Sequence, residues 1–173
     1  MKKIFSLLLI ASTLFACGLN SSKNKTTTNI QADTVVSVDN LLEKADQLVD
    51  KNIIVRGHVT HTCKHSGKRC FLLGDNEQFT IRVEAGGKIT GFNRDLVGNT
   101  IIVKGLLKER QLSKEYIDQM EHEANEKVKE DGSAESCATE INNIKDMRAW
   151  MKANNKDHYS IYFVEGSEYE LAE

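Results

Sequence analysis

The chain is 173 residues long, with 28% charged residues, a formal charge of −2 and no proline. That length suits one small domain with a single core. The acidic balance excludes a general nucleic-acid binder, which carries a basic stripe.

Lys2 and Lys3 precede an apolar run from Ile4 to Ala16 that is too short to span a bilayer. Leu14-Phe15-Ala16-Cys17 resembles the bacterial lipobox, in which the cysteine is acylated and becomes the mature N-terminus. Residues 1–16 are therefore expected to be a lipoprotein signal peptide, with an ordinary cleaved signal and an incidental cysteine as the alternative. Removing Lys2 and Lys3 leaves a net charge of about −4. No later stretch is apolar enough to span a membrane, so acyl chains on Cys17 would be the only anchor. The expected location is the bacterial cell envelope, facing the periplasm. Gly18 after the cysteine, rather than Asp, favours the outer membrane by the same resemblance. With Cys17 carrying lipid, Cys63, Cys70 and Cys137 remain in a compartment that oxidises thiols. An odd number implies one disulfide plus a leftover, or a joint role such as metal ligation.

Residues 17–36 read as a lipidated flexible tether, because Leu19 to Thr34 is rich in Ser, Asn, Lys and Thr without apolar period. The domain proper is expected over 37–173. Asp39 is placed to cap a short helix whose stripe is Leu41, Leu42, Ala45, Leu48 and Val49. Alternating runs predict strands at 53–59, 70–73, 79–84, 100–107 and 159–164. Ser113 is a candidate N-cap for a mostly solvated helix to about Lys129, with a narrow stripe of Tyr116, Met120, Ala124 and Val128. A second helix, about Ala134 to Ala153, carries Cys137, Ile141, Ile144, Met147 and Met151. This order predicts an all-β core with a helical insertion. It is a five-stranded barrel of the oligonucleotide/oligosaccharide-binding (OB) type, with a two-helix insertion at 113–153 between strands four and five.

The densest chemistry lies from His58 to Phe71, which holds three of the five His and two of the four Cys. If Ser66-Gly67 is a two-residue turn, Cys63 stands opposite Cys70. Period two then puts His61, Cys63 and His65 on one face with Cys70. Opposed strand residues lie roughly 4.5–5.5 Å apart at Cα, within disulfide range. A Cys63–Cys70 disulfide is therefore expected. The alternative is zinc or copper on Cys63, His65 and Cys70, with Cys137 as a possible fourth ligand. His61 and His65 stand roughly 13 Å apart along one strand, too far to share an ion. A third reading has reduced, packed cysteines and exposed histidines. Cys137 by itself continues an apolar stripe and is most simply a core thiol. No cofactor is expected unless the metal reading holds.

Ile53-Ile54-Val55-Arg56-Gly57-His58-Val59, Phe71-Leu72-Leu73-Gly74-Asp75 and Thr100-Ile101-Ile102-Val103-Lys104-Gly105 together resemble the extracytoplasmic OB-fold lipoproteins grouped as tRNA-anticodon-binding-like. The resemblance covers roughly Val35 to Leu112 and the last strand. It implies the barrel fold, and nucleic-acid binding only by analogy of fold. The outward positions of the third strand are Thr80, Arg82 and Glu84, with no aromatic to stack a base, so nucleic acid is not the expected partner. No nucleophile-elbow or metalloprotease spacing is present, and the chain is not expected to be an enzyme. The expected function is a lipid-anchored binding or interaction module. Its candidate contact residues are His61, His65, Lys68 and Arg69, for an envelope protein or a small ligand. A metal- or thiol-handling lipoprotein using Cys63, His65 and Cys70 is the alternative.

Overall fold

A computed structural model of the protein describes residues 34–131 and 134–172, and the side chains of all of these except 130–137. The expected signal peptide, Cys17, the tether up to residue 33 and the side chain of Cys137 lie outside the described residues.

The elements run β1 (Val35–Ser37), α1 (Val38–Glu43), α2 (Ala45–Leu48), β2 (Asn52–Thr62), β3 (Arg69–Leu73), β4 (Thr80–Ala85), a 3-10 turn (Arg94–Leu96), β5 (Thr100–Ser113), α3 (Lys114–Asp131), α4 (Ala134–Ala153) and β6 (His158–Leu171). The strand order is β1-β2-β3-β4-β6-β5, and β5 returns to pair with β2. Strands β2 to β6 therefore close into the five-stranded OB-type barrel, with α3 and α4 inserted between its fourth and fifth strands. The β4–β6 pair is parallel and the other pairs of the barrel are antiparallel. Closure leaves no strand edge in the ring to recruit another chain.

Alternation fills the barrel. Val55, Val59, Leu72, Ile81, Val83, Ile101, Val103, Leu107 and Val164 all point inward and are buried. Each buried aliphatic side chain of this kind contributes about 1.5–3 kcal/mol. Val38, Leu41, Ala45 and Leu48 from α1 and α2 join the same core. The cap of α1 is Ser37, whose Oγ accepts from the Asn40 amide at 3.3 Å, and not Asp39. Asp39 instead turns inward. Its Oδ2 accepts from the Asn76 amide at 3.3 Å, and its carboxylate occupies the space where a Cβ on Gly74 would stand. Strand β1 takes in Val35 and Val36, which composition alone assigns to the tether, because they pair in parallel with Ile54 and Val55.

Strands β5 and β6 run well beyond the predicted 100–107 and 159–164. They pair from Ile101↔Leu171 to Ser113↔His158, with one bulge between Lys104 and Gly105. The far part of this ribbon carries its own small core, in which Leu112, Ile117 and Ile144 are buried among Met120, Met147, Met151, Tyr159 and Ile161. Ser113 caps α3 as expected, its Oγ accepting from the Tyr116 amide at 3.2 Å. The stripe of α3 runs through Ile117 and Ala124, while Tyr116 is exposed. Arg148 fastens α4 to α3 through Asp118 and Glu121, each at 2.7 Å.

Candidate functional site

The cysteine hairpin is not the two-residue turn that its Ser-Gly pair implies. Strand β2 carries a bulge between Val59 and His61. Val59 pairs with Leu72, but His61 pairs with Phe71 and Thr62 with Cys70. The bulge places Thr60 and His61 together opposite Phe71, with the Thr60 hydroxyl donating to the Phe71 carbonyl at 3.3 Å. Beyond it, the Cys63 amide donates to the Arg69 carbonyl at 2.9 Å. The loop then closes as the Gly67 amide reaches back to the Cys63 carbonyl at 3.0 Å, with Gly67 at φ +62°. A shift of one residue sends each side chain to the opposite face. Thr62, not Cys63, thus points inward against Cys70.

This register corrects the expected disulfide. Cys63 and Cys70 are both free thiols, Cys63 half-buried in the loop and Cys70 fully buried in the barrel core. Their chemistry separates accordingly. The Cys63 thiol is lowered to about 7, chiefly by the hydrogen bond from the Ser66 hydroxyl (3.5 Å), then by the backbone amides of Ser66 and His65, with a smaller contribution from the Arg69 charge. Burial pushes the Cys70 thiol up to about 12. Nor does the metal set assemble: among the described residues no three His, Cys, Asp or Glu side chains converge on one point. Cys70 faces the core while His65 sits in the exposed loop. The loop is held from outside by Lys68, whose ammonium donates to the Thr90 carbonyl at 2.8 Å, and by the Phe92 amide donating to the Gly67 carbonyl at 2.7 Å.

What the register does assemble is a row across four strands on the outer face of the barrel. His61 of β2 pairs with Phe71 of β3, Phe71 with Arg82 of β4, and Arg82 with Phe163 of β6. The rings of His61 and Phe71 are 5.9 Å apart at 43°, and the Arg82 guanidinium lies 4.9 Å from the Phe163 centroid. That separation is within cation–π range. Arg82 is held by Glu84 at 3.3 Å, and Glu84 also takes Arg69 at 3.4 Å. Only the ion-pair distance is met at Arg82, because its buried Nε makes no hydrogen bond. Arg69 and Arg82 share Glu84 on this face, Glu165 pairs with Glu84 across β4 and β6, and Lys64 and Lys68 belong to the loop at its border.

Of the residues singled out from sequence, His61 and Arg69 therefore belong to the face, while His65 and Lys68 stand in the loop at its border. Phe71, Arg82 and Phe163 were missed as a set. The third strand, β4, has no outward aromatic, as its sequence implies, but its neighbours on both sides supply one each, Phe71 and Phe163. Alternation within β3 signals that Phe71, between buried Cys70 and Leu72, points out. Nothing local signals that Phe163 lies two strands away, since β4 and β6 join through a parallel pairing of distant segments.

No family model and no curated protein matches the sequence. Among solved structures, the chain is similar to one described as an aspartyl-tRNA synthetase from Leishmania major Friedlin, at 12% identity and a TM-score of 0.40. The match covers 84% of this chain but 22% of that one, so the chain spans well under a third of that protein's length.

Proposed function

We propose that the protein is a lipid-anchored module of the bacterial envelope that binds a short, anionic, ring-bearing ligand on the outer face of its barrel. The observation that carries this reading is the row His61–Phe71–Arg82–Phe163. Flat side chains alternate there with a fixed guanidinium, beside a loop of cations. Stacking on an aromatic side chain contributes roughly 1–3 kcal/mol per ring, and a guanidinium recognises carboxylate or phosphate with matched geometry. The acidic body limits the length of polyanion that the patch can track. Stacking and charge pairing are what this arrangement offers a ligand.

Short single-stranded oligonucleotides and acidic oligosaccharides both carry the required chemistry. Titration of fluorescently labelled forms of each at two salt concentrations separates them. Replacing Phe71 and Phe163 together with Ala is expected to weaken binding by at least about tenfold. Arg82→Gln is expected to flatten the salt dependence. Binding that is unchanged in both variants contradicts the reading.

Support for the anchor is the Lys2-Lys3 leader and Leu14-Phe15-Ala16-Cys17. No helix among the described residues is long and apolar enough to cross a membrane. Wild-type protein is expected to incorporate labelled palmitate and to sediment with membranes. A Cys17→Ser protein is expected to lose both properties, and one that still sediments with membranes as before refutes the anchor.

A further inference from the structure

Beyond the outer-face row, a second cavity of about 530 Å³ opens where the end of α4 meets the barrel, bounded by the α1–α2 segment, the start of β4 and β6. Its volume lies within the roughly 300–1,000 Å³ of small-molecule sites. Part of its lining is aromatic. Trp150 and Tyr159 meet edge to face, 5.2 Å apart at 78°, and Phe79 is left 47% exposed. Asp46, Ser160 and Tyr162 supply polar groups to the same lining.

Lys156 fixes those polar groups. Its ammonium is 2.6 Å from Asp46, 3.4 Å from both the Ser160 and Tyr162 hydroxyls, and 5.3 Å from the Trp150 ring centroid. The Tyr162 hydroxyl donates to the same Asp46 oxygen. These partners hold the Asp46 carboxyl below its ordinary range, first through Lys156 and then through Tyr162, so it is an acceptor at neutral pH. Between Asp46 and Lys156 the charges cancel in place, and Glu43 and Lys44 add one charge of each sign to the lining. A strongly ionic ligand would have to break the Lys156–Asp46 pair. A purely apolar one would strip water from Asp46, Ser160 and Tyr162 without replacing their hydrogen bonds, which is costly. A neutral ring with a C–H face and hydroxyls on its rim satisfies both parts of the lining.

We infer that this cavity binds a neutral saccharide, its C–H face against Phe79 and Trp150 and its hydroxyls on Asp46, Ser160 and Tyr162. The site shares no residue with the row on the outer face. It draws on three segments distant in sequence, so a saccharide bound there also clamps the helical insertion to the barrel.

Trp150 is the only tryptophan of the chain, so its emission reports on this cavity alone. The mature chain, in a detergent without a sugar head group, is titrated with maltotriose, cellotriose and chitotriose, and separately with adenosine. At least one trisaccharide is expected to change Trp150 emission saturably, with calorimetry giving the same affinity. Phe79→Ala and Tyr162→Phe, both checked for wild-type circular dichroism, are each expected to weaken it by about tenfold. Arg82→Gln is expected to leave it unchanged, which separates this site from the outer-face row. The proposal is overturned if no trisaccharide saturates by about 10 mM. It is equally overturned if adenosine alone binds, or if affinity survives both pocket variants.

Discussion

Gly105→Ala is expected to destabilise the protein by about 3 kcal/mol, the upper end of ordinary overpacking costs. Gly105 sits in β5 at the seam where the barrel closes, paired with Ile53 of β2 on one side and Gly166 of β6 on the other. A bulge at this point in the β5–β6 ladder brings the strands close. A Cβ on Gly105 would stand 2.4 Å from the Glu165 carbonyl oxygen and 2.7 Å from Val164 Cγ1. The first of these is backbone held by ladder hydrogen bonds, so the clash is relieved only by opening the seam. Thermal unfolding followed by circular dichroism should show a fall of roughly 10 °C in midpoint. Gly98 is the contrast. Its φ of +92° disfavours a side chain, but nothing lies within 4 Å of the added Cβ. Gly98→Ala should therefore cost only about 1 kcal/mol, from backbone strain alone. Equal midpoints for the two variants would show that the seam is looser than the register implies.

At neutral pH the two hairpin thiols should differ in alkylation rate by more than about a hundredfold. With Cys63 at about 7 and Cys70 at about 12, half of the first is thiolate at pH 7 and about one part in 10⁵ of the second. A higher-pKa thiolate is the better nucleophile, with a Brønsted slope of about 0.4–0.5, and that returns a factor of roughly 300 to Cys70. Together these leave a gap of roughly 200-fold, which burial of Cys70 in the core widens by removing its access to the reagent. In a Cys17→Ser, Cys137→Ala chain, iodoacetamide should modify one thiol per folded molecule, at Cys63, and the second only on unfolding. A depressed pKa means that the reactive form is present above about pH 7 and is lost below it. The Cys63 rate should therefore rise by about tenfold from pH 6 to pH 8. Ser66→Ala removes the largest cause of the shift and should move the inflection upward. No titratable thiol in the non-reduced chain would mean that Cys63 and Cys70 are bridged after all.

That experiment also tests where sequence reasoning stopped. From local pattern, the hairpin sits in the right place and its residues are the right ones to watch. A single bulged residue at Thr60 nevertheless reverses which of Thr62 and Cys63 faces Cys70. A bulge is a compromise among twist, turn and neighbouring strands, and it leaves no signature in Val-Thr-His-Thr-Cys. The charged face has the same origin. Arg82 reads from sequence as a solvated charge, because only the sheet order places Phe71 and Phe163 on either side of it.

By itself, the sequence determined the number and order of the barrel strands, the helical insertion and the cap at Ser113. These rest on period-two and period-3.6 burial, which acts within a few residues and is written in the chain. Only the tertiary structure decided the length of the β5–β6 ribbon, the fate of the two cysteines, the aromatic row and the cavity beside Trp150. Each depends on register or contact between segments far apart in sequence, as when Asp46 meets Lys156. Such pairings are selected by the energy of the closed barrel as a whole, and no single window of residues carries that term.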